Sequence, residues 1–306
     1  MTAGPADSGL GTRLERLLGT GIRDSRRIGG QHGVAHYRLL LADGRTAFAK
    51  VAGRADPASN AGPADPGFAA EASGLAWLGA AGTVAVPEVL GWDDGGLALG
   101  WIAQEPADRR GAVRFGRELA AVHAAGADGF GAPWPGVIAG LPLPNETLRD
   151  EPGPPGSGWA QWYARARLLP YVRLARDAGT LTAADVRLVE SAAGRAGAVA
   201  GPAEPPSRIH GDCWSGNVLW SGGRGWLIDP AAHGGHRETD LAMLALFGAP
   251  YLDQIMAGYQ EAAPLADGWR DRVPLHQLHP LLVHVCLFGA GYVASALTAA
   301  RAVLAL

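Results

Sequence analysis

The chain has 306 residues, a formal net charge of −3 and two cysteines, Cys213 and Cys286. This length is enough for two lobes and a large core, whereas two cysteines supply neither a disulfide framework nor a CxxC metal pair. The absence of basic runs argues against nucleic acid as the main partner and leaves small phosphorylated or sugar-like ligands open, and residues 1–8 lack the pattern of a signal peptide, so we expect a cytoplasmic protein.

The first fifty residues carry helix, turn and strand signals. Leucines at helical spacing predict a helix over residues 9–19. A glycine-rich turn containing Gly29 and Gly30 follows, with a strand predicted on each side of it, and a turn of this kind lets backbone amides approach phosphates. Strands are predicted over residues 34–41 and 45–51, joined as a hairpin. Many hairpins contain two or three glycines, so the turn alone indicates little.

Lys50, in the second strand of that hairpin, is the single lysine among 26 basic residues. A lysine kept in an arginine-rich chain suits a site that needs a compact ammonium group, although one lysine can also be left by chance. Residues 53–67 are rich in Ala, Pro, Asp and Gly and predict a mobile loop. The helix predicted over residues 68–81 carries Glu71, which either favours the helix N-terminus or pairs with Lys50.

Strands over residues 87–91 and 97–102 complete a predicted lobe of five strands and one helix that ends near Ile102. Beyond it the pattern is mainly helical, and His123 fits a hydrogen-bonded core histidine. Residues 130–158 are dense in Pro and Gly and are interpreted as a substrate-side loop. The predicted helices cover residues 108–125, 159–176, 182–198, 250–262, 272–288 and 290–305.

The segment Pro280–Ala300 contains no Asp, Glu, Lys or Arg, which raises the question of a membrane-spanning helix. It also contains His284 and a Gly-Ala-Gly sequence at 289–291 that is expected to interrupt the helix. We therefore expect two buried C-terminal helices and no membrane partner.

Two short motifs carry most of the chemistry. Residues 208–220 read RIHGDCWSGNVLW, and 226–230 read WLIDP. A hairpin is therefore flanked by Asp212 and Asn217 on one side and Asp229 on the other. Two carboxylates and an amide suit Mg²⁺ bound to a nucleotide, and a carboxylate can accept a hydroxyl proton. The alternative is a polar loop with capping residues.

The order of these parts along the chain is that of a protein-kinase-like phosphotransferase. Lys50 would neutralise the charge of the α- and β-phosphates, and Glu71 would hold it in position. Asn217 and Asp229 would bind Mg²⁺. Asp212 would orient the acceptor hydroxyl and take its proton, while His210 would brace the loop by hydrogen bonds.

The chain resembles the fructosamine-3-kinase (ketosamine-3-kinase) family, relatives of aminoglycoside phosphotransferases and choline kinases. The octapeptide His210–Asn217 resembles the family's HGDLWSGN, and Asp229–Ala231 with Gly235–Met243 resembles DPA and GHREADLAM. The C-terminal segment from Leu282 resembles LVHxxLFGGxY, and a further block lies within Trp159–Pro170. The match runs from about residue 26 to residue 306, and the WSGN and GHRE blocks are its most specific parts.

The resemblance implies an α+β, bilobal protein-kinase-like fold. Residues 1–102 would form a small N-lobe with an antiparallel sheet and one helix, and residues 103–306 a larger, mainly helical C-lobe. Adenine would be bound by backbone groups of the hinge between the lobes. Gly100 stands where such hinges often carry an acidic residue, and this difference matters little because side chains are not needed there. The hinge residues are Gly100, Trp101 and Ile102.

The resemblance further implies phosphorylation, with ATP and Mg²⁺, of the sugar 3-hydroxyl of a ketosamine, free or on a protein lysine. The product releases the amine, so the family is regarded as deglycating. Ribulosamine- and erythrulosamine-type acceptors are favoured over fructosamine, and a monomer is expected. Acceptor binding or loop support is implied for Trp214, His236, Arg237 and Glu238.

Several residues depart from the family pattern. Cys213 replaces the usual Leu and is expected to be buried and unreactive, although its place beside Asp212 leaves a redox-sensitive site open. His233 and Gly234 replace an aromatic pair, which leaves acceptor specificity open. The glycine turn has no cysteine, so no disulfide-linked dimer is predicted.

Two other functions compete with a ketosamine kinase. An aminoglycoside or choline kinase of the same fold would need an acidic cleft, and the 128–158 region contains Asp128, Glu146, Asp150 and Glu151. A nucleotide-binding pseudokinase would lack one of the four central polar residues, all of which are present.

Overall fold

Five strands in the N-terminal part of the chain form one antiparallel sheet in the order β1–β2–β3–β5–β4. The computed structural model describes residues 8–31, 33–53, 67–149 and 158–306. The five strands predicted for this lobe are confirmed within those ranges. Their bounds are Ile22–Gln31 (β1), Val34–Leu41 (β2), Thr46–Ala52 (β3), Val89–Asp93 (β4) and Gly96–Gly100 (β5).

A helix packs on each face of this sheet. Helix α1 (Ser8–Leu18) buries Leu14 against one face, and α2 (Phe68–Gly79) buries Leu75 against the other. Side chains alternate between the two faces of a strand, so β3 serves both cores and directs Lys50 to the α2 side. The predicted helix of residues 68–81 is α2, and Glu71 lies in its first turn.

The predicted glycine turn is placed differently. Gly29 and Gly30 lie in β1 and pair with His36 and Ala35, so the strand continues through them to Gln31. A Cβ at Gly30 would collide with the backbone of β2, which explains a glycine at this close approach. The turn itself lies around residues 32 and 33, where Gly33 has φ 77°. His32 and the predicted mobile loop, apart from its end residues 53 and 67, lie outside the described ranges.

The C-terminal part of the chain is mainly helical, as predicted. Its largest core joins the helices around Trp162 to those around Leu278 and Ala300. A π-helical turn, Ala164–Leu168, links two of the helices. The helix bounds are Arg109–Ala124 (α3), Trp159–Tyr163 (α4), Leu169–Asp177 (α5), Ala183–Val199 (α6), Glu238–Leu246 (α7), Leu252–Ala262 (α8), Trp269–Phe288 (α9) and Val293–Ala305 (α10).

Short strand pairs connect these helices. The pair β10 (Ser207–Ile209) and β13 (His233–Gly235) brackets the hairpin of β11 (Val218–Ser221) and β12 (Arg224–Leu227), which is close to the predicted hairpin. The remaining strands are Gly129–Phe130 (β6), Gly136–Ile138 (β7), Leu141–Leu143 (β8) and Leu148–Arg149 (β9).

The described part of residues 130–158, which were interpreted as a substrate-side loop, consists largely of short strands packed on the core. Residues 129–149 form two strand pairs, and Phe130, Ile138 and Leu143 are buried in the main core. Glycines and prolines here support tight turns rather than an irregular loop. Asp150 and Glu151, named above as acidic candidates, lie outside the described residues.

Among the described residues, 269–305 is the one helical stretch long and apolar enough to cross a membrane by length and composition, with a mean hydropathy of 1.8. This is weak evidence, because core helices also pass such a test. The predicted interruption is confirmed, since a 3₁₀ turn, Gly289–Tyr292, separates α9 from α10. Both helices contribute buried residues to the main core.

Candidate active site

The β11–β12 hairpin brings the two polar motifs together. His210–Asn217 leads into β11, and Asp229 follows β12. The backbone N–H of Ile228 donates to the Asn217 carbonyl oxygen at 3.0 Å, which ties the two ends of the hairpin to each other. The order of residues in the motifs therefore places Asp212, Asn217 and Asp229 on one side of the hairpin base.

Asp212 and Asn217 form a direct pair. The Asn217 Nδ2 group donates to Asp212 Oδ2 and to the Asp212 carbonyl oxygen, each at 2.9 Å. Burial raises the pKa of Asp212 to about 7, although the hydrogen bond from Asn217 opposes this rise. A carboxylate with a pKa near neutrality is suited to take a proton from a hydroxyl group.

Lys50 lies between two carboxylates that come from distant parts of the chain. Its Nζ donates to Glu71 Oε2 and to Asp229 Oδ1, at 2.7 Å in both cases. The side chains of Lys50 and Glu71 are only 10% and 11% exposed, so water screens their attraction weakly. The single lysine of the chain thus joins β3, α2 and the segment that follows β12.

The charges in this group affect one another. Burial alone would lower the pKa of Lys50, but the carboxylates of Glu71 and Asp229 raise it above its usual value. Burial raises the pKa of Glu71 to about 7, and its Oε1 has no hydrogen-bond partner among the described residues. Against burial, the Lys50 ammonium lowers the pKa of Asp229, so Asp229 stays ionised.

Asp229 has an unusual backbone conformation. Its φ is 52°, in the left-handed region that few residues other than glycine adopt. Asp and Asn tolerate this region better than most residues, and such conformations are concentrated at functional sites. The turn directs the carboxylate back towards Lys50.

The donor set fits a hard divalent cation. The amide nitrogen of Asn217 is occupied by Asp212, which leaves its Oδ1 as a free acceptor, and Asp229 supplies an ionised carboxylate. Oxygen atoms of carboxylates and amides are the ligands that Mg²⁺ takes in nucleotide sites. Asn217 and Asp229, the residues predicted to bind Mg²⁺, therefore offer suitable oxygen atoms.

His210 is fully buried and braces the loop. Its Nε2 bonds to the Ile228 carbonyl oxygen at 2.9 Å, and the Asp212 N–H donates to its Nδ1 at 3.2 Å. These partners require a neutral imidazole with the proton on Nε2. Consistent with this, burial lowers the pKa of His210.

Asp240 contacts the candidate site and was not singled out from the sequence. Its carboxylate accepts the backbone N–H groups of His210 and Gly211 at 2.7 and 2.9 Å, and His123 Nε2 lies 3.1 Å away. It therefore fixes the backbone just before Asp212 from within α7. The sequence signal for such a role was an acidic residue directly before the apolar sequence Leu-Ala-Met-Leu, because a buried carboxylate needs hydrogen-bond partners. The contacts of His123 match its predicted role as a core histidine.

Small residues shape the loop around Asp212. Gly211 has φ 80°, and a Cβ there would collide with the Ala231 carbonyl oxygen. The Trp214 indole lies across Gly216, where a Cβ would overlap the ring. Trp214 is consequently folded over the loop and is 38% exposed. Cys213 is buried, as expected, and burial raises the pKa of its thiol.

The predicted hinge follows β5. The backbone N–H of Gly100 donates to Glu88 and that of Trp101 to Thr46, at 2.8 and 3.3 Å. Within the described ranges the N–H of Ile102 has no such acceptor, so it is the hinge donor available to a ligand. Gly29 lies two strands from Lys50, with His36 of β2 paired to both.

The GHRE block forms a buried network rather than part of the loop around Asp212. Arg237 binds both carboxylate oxygens of Glu204 at 2.7 Å, and Arg272 binds those of Glu238 at 2.6 and 2.9 Å. The His236 ring packs on Trp159 at 4.9 Å. In the described part of the chain these groups hold α7 against α9.

His236, Glu238 and His276 place possible metal-ligand atoms within 4.8 Å of one another. The hydrogen bonds argue against a metal there. His236 Nδ1 accepts the Glu238 N–H, so its Nε2 carries the proton and cannot ligate as a neutral imidazole, and Arg272 occupies both Glu238 oxygens.

The residues that depart from the family pattern are also buried. His233 Nδ1 donates to the Ala231 carbonyl oxygen at 2.7 Å, and its ring lies 5.4 Å from that of Trp162. A Cβ at Gly234 would collide with the Gly129 backbone, with which this strand is in close contact. These positions therefore belong to the core beneath the loop.

Buried neutral histidines predict an acid-sensitive fold. Burial lowers the pKa values of His233, His236, His276 and His279, so below the unfolded value of about 6.5 the unfolded chain binds more protons than the folded one. Their stability contribution is complete above about pH 6.5 and is lost as the pH falls below it, by up to about 1.4 kcal/mol per pH unit for each histidine.

The measurement is urea unfolding across this pH range with a His279→Phe variant as comparison. We expect a shallower decrease in the free energy of unfolding for His279→Phe, because one titrating group is gone and the Nε2 of His279 has no partner in the described chain. Identical pH slopes would show that His279 does not contribute.

Comparison with known proteins identifies the family and the fold. The sequence model of the fructosamine kinase family matches residues 20–305. "Probable ketoamine kinase YniA" of Escherichia coli strain K12 is 32% identical over 231 residues, covering 73% of this chain and 76% of that protein. The crystal structure of a provisionally named fructosamine-3-kinase from Thermobifida fusca has a TM-score of 0.88 and 49% identity, covering 97% and 99% of the two chains.

The fold extends to more distant phosphotransferases. The ADP-bound structure of aminoglycoside phosphotransferase APH(2'')-Ib matches with a TM-score of 0.63 over 97% of this chain and 99% of that one. At 13% identity this likeness concerns the fold alone. It confirms the protein-kinase-like fold expected from the sequence.

Proposed function

The chain belongs to the fructosamine kinase family of phosphotransferases, and we propose that it transfers the γ-phosphoryl group of ATP, with Mg²⁺, to the sugar 3-hydroxyl of a ketosamine. Ribulosamine- and erythrulosamine-type acceptors are preferred over fructosamine. The phosphorylated product releases its amine, so the consequence would be deglycation of free amines or protein lysines.

One observation carries this proposal: the convergence of Lys50, Glu71 and Asp229 beside the Asp212–Asn217 pair. A nucleotide-binding module without transfer activity would not need a carboxylate with a raised pKa next to an amide-bearing loop. Phosphoryl transfer needs groups that bind the nucleotide phosphates and a base for the acceptor hydroxyl. The group around Lys50 suits the first task, and the Asp212–Asn217 pair suits the second.

On the nucleotide side, Lys50 neutralises phosphate charge while Glu71 holds its ammonium group in place. The Ile102 N–H binds the adenine edge, and Gly29 and Gly30 let the β1–β2 end approach the phosphates. Asn217 and Asp229 would hold a Mg²⁺ ion, which would supply positive charge to offset that of the phosphates.

On the acceptor side, Asp212 accepts the proton of the attacking hydroxyl. Its raised pKa matches the demand for a base near neutral pH, and the hydrogen bond from Asn217 fixes which carboxylate oxygen faces the acceptor. Asp240 and His210 keep the loop backbone rigid, so the base is positioned before the acceptor binds.

An ATP-consumption screen tests the proposal. Ribulose-, erythrulose- and fructose-lysine are compared with aminoglycosides and choline as acceptors, and ADP release is measured. We expect turnover with the ketosamines, fastest with the ribulose and erythrulose adducts. Turnover with only the aminoglycosides or choline would contradict the proposal, and nucleotide binding without any turnover would indicate a pseudokinase.

A further inference from the structure

Five aromatic rings form a continuous strip that begins in the loop carrying Asp212. We call it the aromatic strip, and it contains Trp214, Phe247, His284, Phe288 and Tyr292. Successive ring centroids are 6.0 Å apart for Trp214–Phe247, 5.1 Å for Phe247–His284 and 5.4 Å for His284–Phe288. Tyr292 completes it, 4.7 Å from His284 and 5.8 Å from Phe288.

The strip lies partly open to solvent. Trp214, Phe247 and Phe288 are 38%, 37% and 56% exposed. Single exposed aromatic residues are common, but several in contact on one surface indicate a binding site. They come from three separate segments, namely the Asp212 loop, the end of α7, and the end of α9 with its 3₁₀ turn.

The strip is uncharged and its central ring is fixed. His284 Nδ1 donates to the Pro280 carbonyl oxygen at 2.7 Å, and burial lowers the pKa of His284, so the ring is neutral. Gly216 lets Trp214 lie flat over the loop. A rigid, neutral aromatic surface suits apolar groups and organic cations.

We propose that the aromatic strip binds the amine substituent of the ketosamine, with a preference for aromatic or other apolar substituents. This rests on the function proposed above. In a ketosamine the nitrogen is attached to C1, two carbons from the C3 that bears the reacting hydroxyl, so these atoms lie about 4–5 Å apart. With the hydroxyl at Asp212, the substituent on nitrogen can reach Trp214, which lies two residues further along the same loop.

This occupant fits the strip better than a second copy of the chain. A stable protein interface buries about 800 Å² on each partner, which usually takes about 20–30 residues, far more than five side chains. A ligand substituent needs only a few rings, and the strip runs directly from the Asp212 loop. The protonated secondary amine of a ketosamine is also a cation that an indole face attracts.

The test compares two ribulosamines, made from benzylamine and from methylamine, as acceptors. The quantity measured is the ratio of kcat/KM for the benzyl over the methyl compound. We expect this ratio to be well above one for the unaltered protein and to fall about 5- to 10-fold in Phe247→Ala and in Phe288→Ala. Tyr251→Ala is the matched control, because Tyr251 is 39% exposed and lies outside the strip, and it should keep the ratio.

The proposal for the aromatic strip would be overturned by a ratio near one in the unaltered protein. It would also be overturned if Phe247→Ala and Phe288→Ala left the ratio unchanged. In either case turnover of both ribulosamines would leave the kinase assignment intact. Absence of turnover with every ketosamine would overturn both. Light scattering and sedimentation with phosphatidylglycerol vesicles complete the test. Dimers or vesicle binding that Phe288→Ala abolishes, with an unchanged acceptor ratio, would assign the strip to another partner.

Discussion

Asp212→Asn is expected to lower kcat about 10²- to 10⁴-fold with a ribulosamine acceptor. Asparagine has the same shape as aspartate but cannot accept the hydroxyl proton. Its side-chain oxygen can still accept the hydrogen bond from Asn217 Nδ2, which is 2.9 Å from Asp212 Oδ2 in the native protein. The chemical step should therefore fail while the loop keeps its structure. ADP release under saturating ATP measures kcat.

Two controls separate this loss from misfolding. Asp128→Asn changes an exposed acidic residue and should keep full activity. The affinity of Asp212→Asn for ADP, measured by calorimetry, should stay close to that of the unaltered protein. Full activity in Asp212→Asn would contradict its role as the base.

Lys50→Met is expected to abolish detectable phosphoryl transfer and to lower the free energy of unfolding by about 3–5 kcal/mol. The Nζ of Lys50 lies 2.7 Å from a carboxylate oxygen of Glu71 and of Asp229, so its removal leaves the buried Glu71 and the partly buried Asp229 without a counter-charge. Methionine fills a similar volume, and the loss therefore reflects charge more than packing. Urea unfolding at neutral pH gives the stability, and ADP release gives the activity.

The double variant Lys50→Met with Glu71→Gln distinguishes the two effects. The neutral glutamine side chain removes one of the unpaired charges, so stability should largely return while activity stays absent. Arg117→Met is the surface comparison, because Arg117 pairs with the exposed Glu261 at 2.7 Å and should cost less than about 1 kcal/mol. Equal costs for Lys50→Met and Arg117→Met would show that the buried pairing does not stabilise the fold.

The parts of the site that depend on local patterns were predictable from the sequence. The β11–β12 hairpin follows from two apolar runs separated by a Gly-Gly turn, and its polar flanks place Asp212, Asn217 and Asp229 together. The Lys50–Glu71 part of the site was predictable from the single lysine and the helix that carries Glu71, because their order along the chain matches that of a kinase-like protein. In the structure, Lys50 lies 2.7 Å from a carboxylate oxygen of Glu71 and of Asp229.

The parts that depend on distant contacts were not predictable. Asp240 bonds to the backbone of His210 across 30 residues, and no local period encodes that contact. The 129–149 strands pair over turns rich in Gly and Pro, whose composition also suits an irregular loop. Gly29 and Gly30 predicted a turn, but they lie in a strand. Position 30 is a glycine because the backbone of the neighbouring strand leaves no room for a side chain there.

The ketosamine kinase assignment is tested most directly by the position of the phosphate in the product. The reaction of ATP with ribulose-lysine, followed by phosphorus–proton correlation NMR, should show a phosphate coupled to the proton on C3 of the sugar and one ADP for each product molecule. A phosphate on another hydroxyl, or ADP formed without a phosphorylated sugar, would contradict it.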